Sequence, residues 1–224
     1  MARLSYPAVI EARESMDKTK RQFSAEFLIE PSDLTNFKLK QDDGSYEVVD
    51  IRKLCAEVAR EEWGEDLDVD TLKNVDPDKG GLGWPLKNGN DYAAAREANG
   101  KKGDAYKGQV YIRTKAAETI VPQLQTLVPG EKRFQTLDRT SDLAVINDYF
   151  TAGNYVLGML TVKAVETPAK KKFVTVYLNG VVYLKKGEPL GTGGTMLDDR
   201  HFDDLVGGIS DLDPTEGMDD SIAL

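Results

Sequence analysis

The sequence holds one cysteine, Cys55, and one histidine, His201. A single thiol excludes an internal disulfide framework and suits a reducing compartment. One cysteine and one distant histidine leave no ligand set for a structural zinc ion. No local motif supports a Cys55–His201 thiol catalyst, and His201 sits among carboxylates, where it reads as a solvated residue. No run approaches the roughly 20 apolar residues of a membrane helix, so no membrane partner is expected. Residues 1–15 lack the apolar stretch of a secretory signal, which makes a cytoplasmic protein the expectation. Enzyme signatures are missing too: there is no GxGxxG after a strand, no Walker loop, no HExxH and no GxSxG. Gly191-Thr192-Gly193-Gly194 is too short and stands in no strand-to-helix context. The Asp-rich runs at 66–70 and 198–204 lack EF-hand spacing. The expectation is a protein without catalytic residues, metal or cofactor.

What the sequence has is charge, unevenly spread. The chain of 224 residues carries a net charge of −9. Residues 197–224 hold nine carboxylates against one base, Arg200, for a net −8. A Gly-dotted acidic segment with few apolar residues buries too little surface to offset its ordering entropy, so a disordered tail is predicted there. Like-charge blocks at a terminus serve either as interaction tails or simply as solubilising ones. Residues 79–187 are the opposite, with seventeen bases against nine acids, for a net +8. Aromatic residues interleave with those bases. Bases attract phosphates, and aromatic faces stack unpaired nucleobases, so the combination suits a groove for single-stranded nucleic acid. The plain alternative is that the aromatics are core and the lysines are solvated surface.

Periodicity outlines the elements. Residues 3–13 read as a strand, with Pro7 near its start or on an edge. Over residues 22–30, Phe23, Ala25, Phe27 and Ile29 share one face and Ser24, Glu26 and Leu28 the other, a half-buried strand. Ile51, Leu54, Cys55 and Val58 follow helical spacing, which predicts a helix over 50–63 capped by Asp50 and stopped by Gly64. Residues 76–108 read as one long loop with turn dipeptides Asn88-Gly89 and Asn99-Gly100. Residues 108–115 alternate, placing Tyr111, Arg113 and Lys115 on one face. Two strand-rich segments follow at 154–166 and 172–186, and in the second Asn179-Gly180 signals a hairpin turn. Five to six strands, one clear helix and long loops predict a mainly β protein with one or more helical insertions. An OB-fold-like five-stranded antiparallel barrel with long loops fits this reading. An immunoglobulin-like sandwich would need about seven regularly spaced strands. The expected organisation is a binding domain over 1–196, with the helical insertion at about 50–63 and the long loop at about 76–108, followed by the tail at 197–224.

Tyr6-Pro7, the strand from Phe23 to Ile29 closed by Glu30-Pro31-Ser32, and Trp84-Pro85-Leu86-Lys87-Asn88-Gly89 occur in that order. The strand at 108–113, the Gly153-Asn154-Tyr155 opening of the next, and Gly187-Glu188-Pro189-Leu190-Gly191 continue it. In this ordering the chain resembles the single-stranded-DNA-binding proteins of tailed bacteriophages, which pair an OB-fold with an acidic C-terminal tail. The resemblance implies a non-enzymatic coat for single-stranded DNA during phage replication and recombination, in the host cytoplasm. It implies a tail that recruits phage or host replication proteins and competes with DNA, and it is compatible with a homo-oligomer. The tail residues expected to meet partners are Asp211, Asp213, Glu216, Asp219, Asp220 and Leu224. The residues expected at the DNA are Trp84, Lys87, Tyr106, Lys107, Tyr111, Arg113, Lys115, Lys132, Arg133, Phe134 and Tyr155. A non-enzymatic structural or interaction protein of the virion is the alternative.

Overall fold

The computed structural model describes residues 1–15, 18–64, 82–128, 130–131 and 133–190, all within one compact unit, Met1–Leu190. The expected tail and Lys132 lie outside the described residues.

The chain opens with two long strands, β1 (Ala2–Glu14) and β2 (Arg21–Ile29), paired antiparallel. A short hairpin, β3 (Phe37–Lys40) and β4 (Tyr46–Val49), stands as a separate two-stranded sheet. Helix α1 (Ile51–Trp63) follows as its spacing predicts. Its first turn is capped by Asp50, which accepts the Arg52 N–H at 2.9 Å, and Gly64 closes it in the left-handed region at φ 67°. Ile51, Cys55 and Ala59, four residues apart, bury the face that meets the core. Burial pushes the Cys55 thiol up to about 12, so it is an inert core residue.

The segment expected to be one long loop contains elements from Leu82 onward: β5 (Leu82–Gly83), β6 (Leu86–Asn88) and α2 (Gly89–Ala98). The two Asn-Gly signals are the ends of that helix rather than turns between strands. Asn88 caps it by accepting the Asn90 N–H at 2.9 Å, and Gly100 leaves it at φ 69°. A single turn at Asp104–Tyr106 leads into β7 (Val110–Ala117). After it come β8 (Gln123–Leu127), β9 (Phe134–Thr136), α3 (Leu143–Tyr149) and the long pair β10 (Tyr155–Glu166) and β11 (Lys172–Lys185).

Among the described residues, nine strands form one mixed sheet in the order β6-β7-β2-β1-β10-β11-β8-β9, with β5 on β11. A further β7–β11 pairing links its two halves, so the pairings run from β7 through β2, β1, β10 and β11 back to β7. The sheet is not wholly antiparallel, contrary to the expectation. Strand β11 runs parallel to β5, β7 and β8, which its fourteen residues take in turn along its length. Asn179-Gly180 also differs: it lies inside β11, and the chain reverses at Thr167–Lys171 instead. Gly180 is there because a Cβ would run into the Met159 side chain and stand 2.8 Å from the Gln123 carbonyl oxygen. Asn179 donates to Thr161 Oγ1 at 2.7 Å beside a register shift between Met159 and Leu160.

The main core joins Leu4, Val9, Phe27, Ile112, Val176 and Leu178 of the strands to α1 and to Ile146 and Phe150 at α3. A second cluster of Leu28, Ala93, Tyr106, Tyr111 and Leu190 lies apart from it. No helix among the described residues is long and apolar enough to cross a membrane.

Candidate nucleic-acid interface

The outer faces of β2 and β7 form a graded surface. Leu28 lies opposite Tyr111, Glu26 opposite Arg113, and Ser24 opposite Lys115. The surface passes from apolar to charged to polar within five residues of each strand. The apolar end is covered: Ala93 of α2 and Tyr106 pack on Leu28 and Tyr111, and the rings of Tyr92, Tyr106 and Tyr111 meet at centroid distances of 4.7–6.0 Å. The charged and polar end stays open as the floor of a groove of about 990 Å³. Tyr6 and Arg13 of β1, Trp84, Lys87 of β6, and Tyr92, Arg96 and Lys101 also line this groove.

The electrostatics of the floor are cationic and only partly compensated. Arg113 is neutralised by Glu26, which accepts its Nε–H at 2.9 Å. Burial holds the Glu26 carboxyl above its usual range, against the opposing pull of Arg113 and Arg96. Lys87 is pulled below the usual lysine range by burial and then by Arg113, and Lys115 by burial and then by Lys20. Neither lysine has an ion-pair partner among the described residues, nor do Arg13 and Lys101. Lysines desolvated beside other cations gain from any anion that enters, because an opposite charge within a few ångströms favours the charged form. The groove can therefore take a flexible polyanion.

Of the residues marked in the sequence, the groove gathers Trp84, Lys87, Arg113 and Lys115. Tyr111 and Tyr106 are 6% and 4% exposed, so neither offers the open stacking face expected of it, although Tyr111 does share its strand face with Arg113. The reason is the segment between β6 and β7, whose helix and turn fold back onto that end of the strands. Trp84 is 9% exposed, so it too offers little of its ring. Lys107 is not in the groove lining and is held by Glu97 at 2.7 Å and Asp104 at 2.8 Å. Arg133 pairs with Glu131, and Phe134 stands exposed on β9; neither lines the groove. Tyr155 is half-buried, flanked by Arg3 and Lys185 at 5.9 and 4.8 Å from its ring centroid. The groove residues not marked include Tyr6, Arg13, Glu26, Tyr92, Arg96 and Lys101. Leu28 held the signal for the cover: an apolar side chain on the polar face of an alternating strand requires something on top of it.

A basic groove on a mixed β domain defines a class of polyanion-binding proteins, and comparison with known proteins narrows it. Residues 1–208 match the family model of the single-stranded-DNA-binding protein of Enterobacter phage Enc34, and the chain belongs to that family. Among solved structures, it is similar to the single-stranded DNA-binding protein from bacteriophage Enc34 in complex with ssDNA. That match has 16% identity and a TM-score of 0.56, covering 85% of this chain and 86% of that one. A C-terminal truncation of the Enc34 protein matches at 14% identity and a TM-score of 0.54, over 84% of this chain and 85% of that one. A further structure of the Enc34 protein matches at 16% identity and a TM-score of 0.51, over 89% and 86%. At these identities the structural likeness concerns the fold. No curated protein matches the sequence.

Proposed function

We propose that the chain binds single-stranded DNA without sequence readout, in the groove over β2 and β7. The observation that carries this reading is the pair Lys87 and Lys115, desolvated on the groove floor and without counter-charge among the described residues. Family membership supports the same ligand. The closed circuit of pairings through β7, β2, β1, β10 and β11 supports reading the domain as an OB-fold barrel, with β3 to α2 as an insertion between its second and third strands. Stacking and phosphate contacts need no catalytic group, so the protein acts as a non-enzymatic coat. Its setting is phage DNA replication and recombination in the host cytoplasm.

The binding domain extends over 1–196, and residues 197–224 act as a tethered competitor. Residues 197–224 carry a net −8 and residues 79–187 a net +8, and covalent tethering of one to the other gives an effective concentration of about millimolar. DNA entering the groove releases the tail to replication proteins. Of the aromatics marked in the sequence, Phe134 and Tyr155 remain candidates for a DNA path continued beyond the groove.

Titrating a labelled oligo-dT with full-length protein at low salt tests the reading. Wild type is expected to bind at micromolar protein or below, and Lys87→Ala with Lys115→Ala to bind more weakly. No binding by wild type under those conditions overturns it.

A further inference from the structure

Perfect alternation along β1 cannot place both Leu4 and Val9 in the core, since they stand five positions apart, yet both are fully buried there. One extra residue lies between. Ser5 pairs with Glu26 and Ala8 with Ser24, so three steps along β1 match two along β2, which is a β-bulge. The residue thrown out of register is Tyr6. Its backbone sits at φ 42°, in the left-handed region that side-chain-bearing residues rarely adopt, and it precedes Pro7, which disfavours helical conformations in the residue before it. Without the bulge, Tyr6 would share the inward face of Leu4. With it, the ring stands on the groove wall and is 40% exposed, the one exposed aromatic among the described lining residues.

The ring is also held. Arg96 donates from Nη1 to the Tyr6 hydroxyl, and its guanidinium carbon lies 5.5 Å from the Tyr6 ring centroid. Arg96 is itself 8% exposed and has no carboxylate partner among the described residues. Its Nε donates to the Lys102 carbonyl at 2.7 Å, and the Tyr106 and Tyr92 rings stand 5.6 and 5.8 Å away. Tyr106 is fixed in turn by a 2.6 Å hydrogen bond with Ser5 Oγ, one residue before Tyr6. Of the three tyrosines around this buried arginine, Tyr106 is buried, Tyr92 is half-buried, and Tyr6 is the one whose ring stands exposed, an arrangement that presents it to the groove.

We infer that Tyr6 is the platform on which an unpaired nucleobase stacks, and that Arg96 is the residue that positions it. This rests on the DNA-binding reading above and assigns base contact to a position outside the basic, aromatic-rich middle of the sequence.

Stacking and phosphate contact separate when oligo-dT is compared with an abasic sugar–phosphate oligomer of equal length. The expected result is that Tyr6→Leu weakens dT binding about 5- to 150-fold and leaves abasic binding unchanged, the range that loss of one stacked base produces. Tyr6→Phe keeps the ring and should retain most of the dT preference. Arg96→Met should reduce that preference without abolishing abasic binding. An unchanged dT preference in a folded Tyr6→Leu variant overturns the platform while leaving the groove standing. Wild type that binds neither oligomer overturns both. Photo-crosslinking of wild type to an oligonucleotide carrying 5-iodouracil requires no variant: an adduct on the peptide holding Tyr6 is expected, and crosslinks confined to other peptides refute the inference.

Discussion

The dependence of DNA binding on salt can be worked out from the groove itself. Six bases line it, but they are not equivalent. Arg113 is neutralised by Glu26, and Arg96 is buried among tyrosines, so neither is counted as a free phosphate contact. Arg13, Lys87, Lys101 and Lys115 remain, all without ion-pair partners among the described residues. Each phosphate neutralised on a single strand adds about −0.7 to the slope of log K against log salt, which gives about −2.8 for four. Between 50 and 200 mM salt the affinity should then fall about 50-fold. Removing two contacts with Lys87→Ala and Lys115→Ala should flatten the slope to about −1.4, a fall of about 7-fold over the same range. Fluorescence anisotropy of a labelled oligo-dT at four or five salt concentrations measures both slopes, and circular dichroism confirms that the variant is folded. A double variant that keeps the wild-type slope refutes the assignment of these lysines to the DNA path.

Further predictions concern stability and the tail. Asn154 is buried, and its Nδ2 donates to the carbonyls of Asp148 and Tyr149 and to Thr151 Oγ1, while its Oδ1 accepts the Gly187 N–H. Asn154→Asp, nearly isosteric, should cost about 2–3 kcal/mol for the loss of both amide N–H donors and lower Tm by roughly 4–12 °C; an unchanged Tm would contradict the role of Asn154 as the junction of β1, α3 and the end of β11. The Glu26 carboxyl is raised by burial, so the folded chain holds this proton to a higher pH than the unfolded chain, and stability is lost as pH rises through that window. Glu26→Gln should therefore gain on wild type in urea midpoint at pH 7, with the difference shrinking toward pH 4, and the reverse trend would refute it. Truncation after residue 196 removes a net −8 and should raise affinity for oligo-dT at low salt, with the gap closing as salt rises. Equal low-salt affinities for the truncated and full-length proteins would rule out competition by the tail.

Local signals made part of this fold legible. Asp50, the 3.6-residue spacing and Gly64 set the limits of α1 because cap, period and stop agree. The alternation of residues 23–29 placed the core face of β2 correctly, since Phe23, Ala25, Phe27 and Ile29 are all buried. Dipeptide signals misled where tertiary packing decides their use. Asn88-Gly89 and Asn99-Gly100 have turn chemistry, but the same chemistry starts and ends helices, and the Ala-rich stretch between them is α2. Asn179-Gly180 has hairpin chemistry, yet the glycine serves the close approach of Met159 and Gln123 inside a strand.

The groove was harder to locate than the fold, and the strand pair β2–β7 shows why. Charge and aromatic content pointed to a polyanion and to β7, which lies on the groove floor, but not to which rings are open. Composition cannot separate Tyr111, which is covered, from Arg113 two residues later, which faces the groove; the boundary is set by α2, contributed from elsewhere in the chain. Tyr6 raises the opposite difficulty. It lies outside the basic middle, in a segment whose alternation alone assigns it to the core, and only the one-residue bulge against β2 turns it outward. What the sequence does carry is the pair of inconsistencies that these features leave behind. Leu28 is an apolar residue on a polar face, and Leu4 and Val9 are core residues an odd number apart. Each breaks the two-residue period of its own strand, and each break borders the groove: one marks the end that is roofed, the other the residue presented to the ligand.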